Sequence, residues 1–237
     1  MARFNTTRWS LIADACSEGE QARPALEQLC RDYRPPVLAY VRGHGHGHHD
    51  AEDLTQEFFA RFIEQGWYSV ATPERGRFRA LLLTAVRRFV QNSDAQRRAR
   101  KRGGDIRLVA FEDSTAAAAP GSPEQAFMQS WVAILLERAR HRLHEEYQVA
   151  GRTALFEQLW PCIDGRAGSD ELLAIAECLG QRRNTVAVHL HRMRNRLRQL
   201  IRLELLATVG SREDLEAELE ELRQGLGLDA QQPEAGA

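Results

Sequence analysis

Lysine is almost missing from this chain: Lys101 stands alone among 32 Lys and Arg residues, so nearly every cation is a guanidinium, a donor fork suited to phosphates and base edges. Four cysteines, Cys16, Cys30, Cys162 and Cys178, lie far apart with no CxxC pair, which excludes a zinc ribbon and a disulfide scaffold and predicts reduced thiols. No Ser/His/Asp or Cys/His nucleophile arrangement, phosphate-binding glycine loop or HExxH motif is present, so the sequence predicts neither an enzyme nor a cofactor. The longest apolar stretch, Trp131 to Leu136, is far too short to span a bilayer, and MARFNTTRWSLIADACSEGE lacks an apolar run of signal-peptide length. The expectation is a cytoplasmic protein without membrane contact. Alternating apolar and polar positions are also lacking, which leaves helical periodicity throughout and predicts an all-α fold.

What the chain does have is segregated charge. Its formal net charge is only −1, yet residues 75–102 carry ten Arg and Lys against one acid, and residues 182–202 carry seven against none. Acidic segments at the front and the tail hide both blocks. Such patterning predicts a polyanion partner for part of the surface.

The 237 residues suffice for two domains. Leu26, Leu29, Tyr33, Val37, Tyr40 and Val41 keep helical spacing through Pro35 and Pro36, which are expected to kink or break the helix. After a loop from Gly43 to His49, Asp50 is expected to cap a second helix with Leu54, Phe58, Phe59, Phe62 and Ile63 inside and Asp53, Gln56, Glu57 and Glu64 outside. A turn-rich segment, Gln65 to Gly76, leads to a helix from about Arg77 to Arg100. It buries Phe78, Leu82, Ala85, Val86 and Phe89 beneath a ridge of Arg77, Thr84, Arg87, Arg88, Gln91 and Arg98.

Composition then shifts to Gly, Ala, Ser and Pro, predicting a tether at 105–123 between a domain at 1–104 and another at 124–209. Further helices are expected at Glu124–Tyr147 and Thr153–Ile163, and from a Ser169 cap to Gly180. An amphipathic basic helix follows from Asn184, with the stripe Val186, Leu190, Met193, Leu197 and Ile201. A short helix, a glycine turn and a basic helix together read as a helix-turn-helix, in which Ala176 permits close approach, Gly180 a positive φ, and Val186 anchors the second helix. Residues 210–237 should form an acidic helix and tail.

HGHGHHD, His44 to Asp50, contains transition-metal ligands, but a glycine-interrupted loop with no partner outside itself predicts only adventitious binding, so no metal is expected. Asp53 and Glu57, four residues apart, are read as a solvated or partner-facing surface and not as an acid/base pair.

Three segments carry a family resemblance. HDAEDLTQEFFARF (His49 to Phe62) resembles the region 2 helix of bacterial sigma factors. FRALLLTAVRRFVQNSDAQRRARKR (Phe78 to Arg102) is similar to the promoter-melting helix that follows it, and LAIAECLGQRRNTVAVHLHRMRNRLRQL (Leu173 to Leu200) to region 4. Two such motifs in this order, joined by a loose linker, resemble the extracytoplasmic-function (ECF) class. The resemblance implies a non-catalytic initiation factor that docks on core RNA polymerase and reads promoter DNA, and it leaves room for an anti-sigma partner. It implies that Asp53, Gln56 and Glu57 meet the clamp helices of the largest polymerase subunit. Asn92 matches a position near the melted minus-10 element, where Arg77, Arg87 and Arg88 add a cationic track and Trp67 and Tyr68 flat faces for unstacked bases. Ala187, Val188, His191 and Arg192 match positions facing the minus-35 element; Arg183, Asn184, Thr185 and Arg196 complete that expected surface.

The chain departs from the family pattern in places. Leu81 stands where an aromatic is common, Arg88 where Asn is usual, and Ala187 and Val188 where Lys or Arg and Ser are common, which favours methyl contacts. EEYQVAGRTALFEQLWP replaces the leucine-proline signature early in region 4, and the acidic tail has no counterpart. A stand-alone helix-turn-helix regulator and a metal-dependent enzyme using the histidine loop are the alternative readings.

Overall fold

The computed structural model describes residues 8–71, 78–102, 121–163, 168–206, 215–217 and 219–220. Its elements are α1 (Arg8–Ala15), α2 (Ala22–Gly43), α3 (His48–Glu64), a 3-10 turn (Trp67–Val70), α4 (Phe78–Arg102), α5 (Pro123–Val149), α6 (Thr153–Leu159), a second 3-10 turn (Trp160–Cys162), α7 (Ser169–Cys178) and α8 (Arg183–Leu206). The fold is all-α, with no strand among the described residues. None of these helices is long and apolar enough to cross a membrane.

Two compact units divide the chain within α5: residues 1–134 with 206–237, and residues 135–205. In the first, α2 runs through Pro35 and Pro36 as one helix, so of the expected kink or break the break does not occur. A proline inside a helix costs about 3 kcal/mol, whereas each fully buried large side chain returns about 1.5–3 kcal/mol. Leu29, Tyr33, Val37, Tyr40 and Val41 are all buried on one face of α2, so packing outweighs the lost backbone bonds.

α3 begins at His48, not at Asp50: Gly47 takes the capping position without a side-chain bond, and Asp50 falls in the first turn. Ala51, Leu54, Phe58, Phe59 and Phe62 face the core. Thr55, fully buried among them, donates its hydroxyl hydrogen to the Ala51 carbonyl at 2.7 Å, which satisfies the polar group. Phe58 meets Phe89 of α4 edge to face at 5.6 Å, and Tyr33 meets Phe78 at 5.1 Å.

The first three turns of α5 belong to this unit. Phe127, Met128 and Trp131 are buried there, and the Arg79 guanidinium of α4 lies 5.2 Å from the centre of the Trp131 ring. Gly43 lets α2 end against this helix, because a Cβ there would stand 3.0 Å from Pro123 Cα. The boundary drawn from composition at 123 gave all of α5 to the second domain; these contacts divide it. The expected linker at 105–123 lies outside the described residues up to 120, and the acidic C-terminal segment does so apart from 215–217 and 219–220.

The second unit closes around Ala139 and Leu143 of α5, Leu155, Phe156 and Leu159 of α6, Ile175 and Ala176 of α7, and Val186, Leu190, Met193 and Leu200 of α8. α7 starts one residue before its expected cap could act, since Gly168 occupies that position and Ser169 is already helical. Its other end is a Schellman turn: Gln181 N–H donates to Ala176 C=O at 2.9 Å, Gly180 N–H to Glu177 C=O at 3.2 Å, and Gly180 has φ 61°. Nothing lies within 4 Å of a Cβ built there, so conformation alone demands glycine. Gly180→Ala should therefore lower stability by about 1–2 kcal/mol in urea unfolding, and Gly180→Asn by less, because Asn tolerates the left-handed region.

Candidate nucleic-acid interface

Three surfaces follow from this packing. On α3, burial of Leu54, Phe58 and Phe62 leaves Asp53, Gln56, Glu57, Ala60, Ile63 and Glu64 exposed as one stripe. Glu57 accepts from Arg61 at 2.6 Å, while Asp53 and Gln56 make no side-chain bond among the described residues. The opposite edge of the helix is tied down instead: Glu52 accepts from Arg42 at 3.2 Å and also from Arg34, and Asp50 stands 3.6 Å from Arg97 of α4. The helix therefore presents its polar stripe from a fixed position.

The second surface joins the 3-10 turn and α4. Trp67 and Tyr68 are half-buried, folded onto the aromatic core with ring centres 6.3 Å from Phe58 and 6.1 Å from Phe62 respectively. Arg77 lies outside the described residues. Arg87, Arg88 and Asn92 are half-buried, and the Arg87 guanidinium stands 3.4 Å from Glu124 of α5. Burial and the same carboxylate push the Tyr40 phenol well above its ordinary value, so Tyr40 stays neutral. The ridge read from the helical wheel is thus partly covered: of its described residues Gln91 and Arg98 are exposed, while Thr84, Arg87 and Arg88 are half-buried.

The third surface is α8. With Val186, Leu190 and Met193 in the core, Arg183, Asn184, Thr185, Val188, His191 and Arg192 are exposed at its N-terminal half, and Ala187 is half-buried. Arg194 fixes the helix by donating to the Cys162 carbonyl at 2.5 Å and the Ile163 carbonyl at 3.2 Å. Arg196 makes a two-pronged pair with Glu146 of α5 at 2.8 and 2.7 Å, which holds its guanidinium and raises its pKa. Asn195 and His191 lie 2.9 Å apart across one helical turn.

Sequence reasoning did not single out Glu124, Glu146 or Asp94, although each bonds or pairs with an arginine of these surfaces. For Asp94 a signal existed, as it is the lone acid in the basic block at 75–102. For Glu124 and Glu146 none did, because their partners lie 37 and 50 positions away in sequence.

Residues 29–102, from α2 to the end of α4, match the family model for Sigma-70 region 2. This match supports a sigma-70 family sigma factor, a non-catalytic transcription initiation factor that binds RNA polymerase and takes part in promoter recognition. Neither the curated proteins nor the solved structures give a match.

Proposed function

We propose that this chain is an ECF-type sigma factor that works in the cytoplasm, docking on core RNA polymerase through Asp53, Gln56 and Glu57 and carrying it to promoters with two elements. One observation carries the reading: inside the segment matching Sigma-70 region 2, α3 turns its aromatic face inward and leaves an exposed polar stripe outward. In this reading the turn at Trp67 and Tyr68, with Arg77, Arg87, Arg88 and Asn92, receives the melted minus-10 strand, and Arg87 exchanges Glu124 for a phosphate. The α7–α8 pair acts as a helix-turn-helix, and Arg183, Asn184, Thr185, Ala187, Val188, His191 and Arg192 face the minus-35 duplex. Arg196, already held by Glu146, braces α8 at the edge of that surface.

Co-elution on size exclusion tests the proposal. The full chain should co-migrate with core polymerase, and the complex should bind promoter fragments that the chain alone does not retain. Tight specific duplex binding by the chain alone, with no polymerase complex, would support a stand-alone regulator instead.

Arg192 gives a finer test. Its guanidinium is exposed and no acid stands between Cys178 and Leu203, so Arg192→Ala should weaken promoter binding by the holoenzyme by ~1–3 kcal/mol. If Arg192 meets a base, discrimination at one position relaxes; if it meets phosphate, the slope of log affinity against log salt drops by about one.

A further inference from the structure

The histidine loop was set aside in the sequence for want of a partner outside itself, and α4 supplies that partner. His44 Nδ1 stands 3.8 Å from one Asp94 carboxylate oxygen, and His46 Nε2 stands 3.5 Å from the other. The three ligand atoms lie within 4.8 Å of one another. Gly45, at φ 95°, turns the chain between the two histidines, whose rings stack at 6.1 Å. His46 Nε2 is buried and makes no hydrogen bond. Its side chain is only 11% exposed, so little water reaches it.

These distances suit an ion better than a hydrogen bond. Donor and acceptor in an N–H···O bond approach to roughly 2.7–3.2 Å, which both contacts exceed. Two ligands each about 2.0–2.1 Å from a tetrahedral centre stand roughly 3.3–3.4 Å apart, close to the 3.5 Å spacing of His46 and Asp94. We propose that His44, His46 and Asp94 form a site for one divalent transition-metal ion, Zn²⁺ being the best match, which ties the loop between α2 and α3 to α4.

The donor set selects the ion. Imidazole nitrogen disfavours Mg²⁺ and Ca²⁺, and two histidines with one carboxylate form a three-ligand set that Zn²⁺ accepts while keeping a further position for water. The neighbouring histidines are engaged elsewhere: His48 Nδ1 lies 2.9 Å from an Arg42 nitrogen, and the His49 ring packs against His48. Asp94 follows Asn92 by two residues on α4, so an ion here fixes the same stretch of helix that the proposed function brings to the minus-10 strand. The site itself stands independently of that function.

Dependence on Asp94 separates a built site from loose binding by a histidine-rich loop. Full-length chain titrated with Zn²⁺ by calorimetry, and with Co²⁺ as a visible-absorption probe, should bind one ion per chain. Its melting temperature should rise with Zn²⁺ concentration, as for any ligand of the folded state. Even a residue that only orients a metal ligand is worth roughly 10- to 100-fold in affinity, so loss of a direct ligand, by Asp94→Asn or separately by His44→Ala, should weaken Zn²⁺ binding by about tenfold or more. His48→Ala with His49→Ala should leave the affinity unchanged. His44 is exposed, so its variant stays informative even if Asp94→Asn disturbs the fold, which circular dichroism checks. Failure of the parent to bind a stoichiometric ion overturns the site, as does parental affinity in folded Asp94→Asn or His44→Ala. Loss of binding in the His48/His49 variant alone reassigns it to adventitious capture.

Discussion

Reversing two charges on the outer stripe of α3, Asp53→Arg with Glu57→Arg, is expected to abolish retention on core RNA polymerase. Both side chains are exposed, and among the described residues the one partner of either is Arg61, bonded to Glu57 within one helical turn. The fold should therefore tolerate the change. An exposed ion pair within a helix is worth about 0.3–0.5 kcal/mol, so helicity and unfolding midpoint should move little. At an interface, by contrast, juxtaposed like charges cost several kcal/mol, and each 1.4 kcal/mol is a factor of ten in affinity. Pull-down should show a loss of roughly a hundredfold or more. Undiminished retention by the folded variant would remove this stripe from the docking surface.

Trp131→Ala is expected to be the most destabilising single change in the first unit. Trp131 is 1% exposed, packed beneath the Arg79 guanidinium beside Phe127 and Met128. Deleting a large buried aromatic typically costs ~3–5 kcal/mol through lost transfer energy and the cavity left behind. For a chain of this size that is roughly 10 °C in melting temperature, readable by calorimetry. The same packing predicts that a fragment ending at residue 134 is more stable than one ending at 104, which would strip Trp131 and Met128 from Arg79 of α4. Equal stability of the two fragments would return α5 to the second unit alone.

That helix shows where the sequence was legible and where it was not. The period of 3.6 exposed most of the apolar stripes of α2, α3, α4 and α8 directly, because each helix buries one face; Ile63, expected inside α3's stripe, is exposed. α5 is different: Phe127 and Trp131 continue into Leu135, Ala139 and Leu143 with helical spacing, and the pattern is the same whichever unit each turn packs against. Periodicity reports that a face is buried and is silent on what buries it. Helix starts were missed for a related reason. Asp50 and Ser169 are good caps by residue type, but Gly47 and Gly168 adopt the extended backbone that begins a helix, and the first turn forms around them.

The candidate surfaces divide in the same way. Exposure of Asp53, Gln56, Glu57, His191 and Arg192 follows from the helical wheel alone. The engagement of Arg87 by Glu124 and of Arg196 by Glu146 does not, since each pair joins distant segments. The charge count was correct, yet it counted guanidiniums that the fold had already paired. His44 and His46 were visible as ligand types, while their partner sat 50 and 48 residues further on.

The central claim is that the chain directs initiation by polymerase, and transcription in vitro tests it most directly. Core RNA polymerase, a pool of templates and labelled nucleotides would be combined with and without the purified chain, and the transcript start sites mapped. The account predicts discrete new starts that depend on the chain and vanish with Asp53→Arg plus Glu57→Arg. No chain-dependent start from any template, with the chain folded and the polymerase active with another initiation factor, would contradict it.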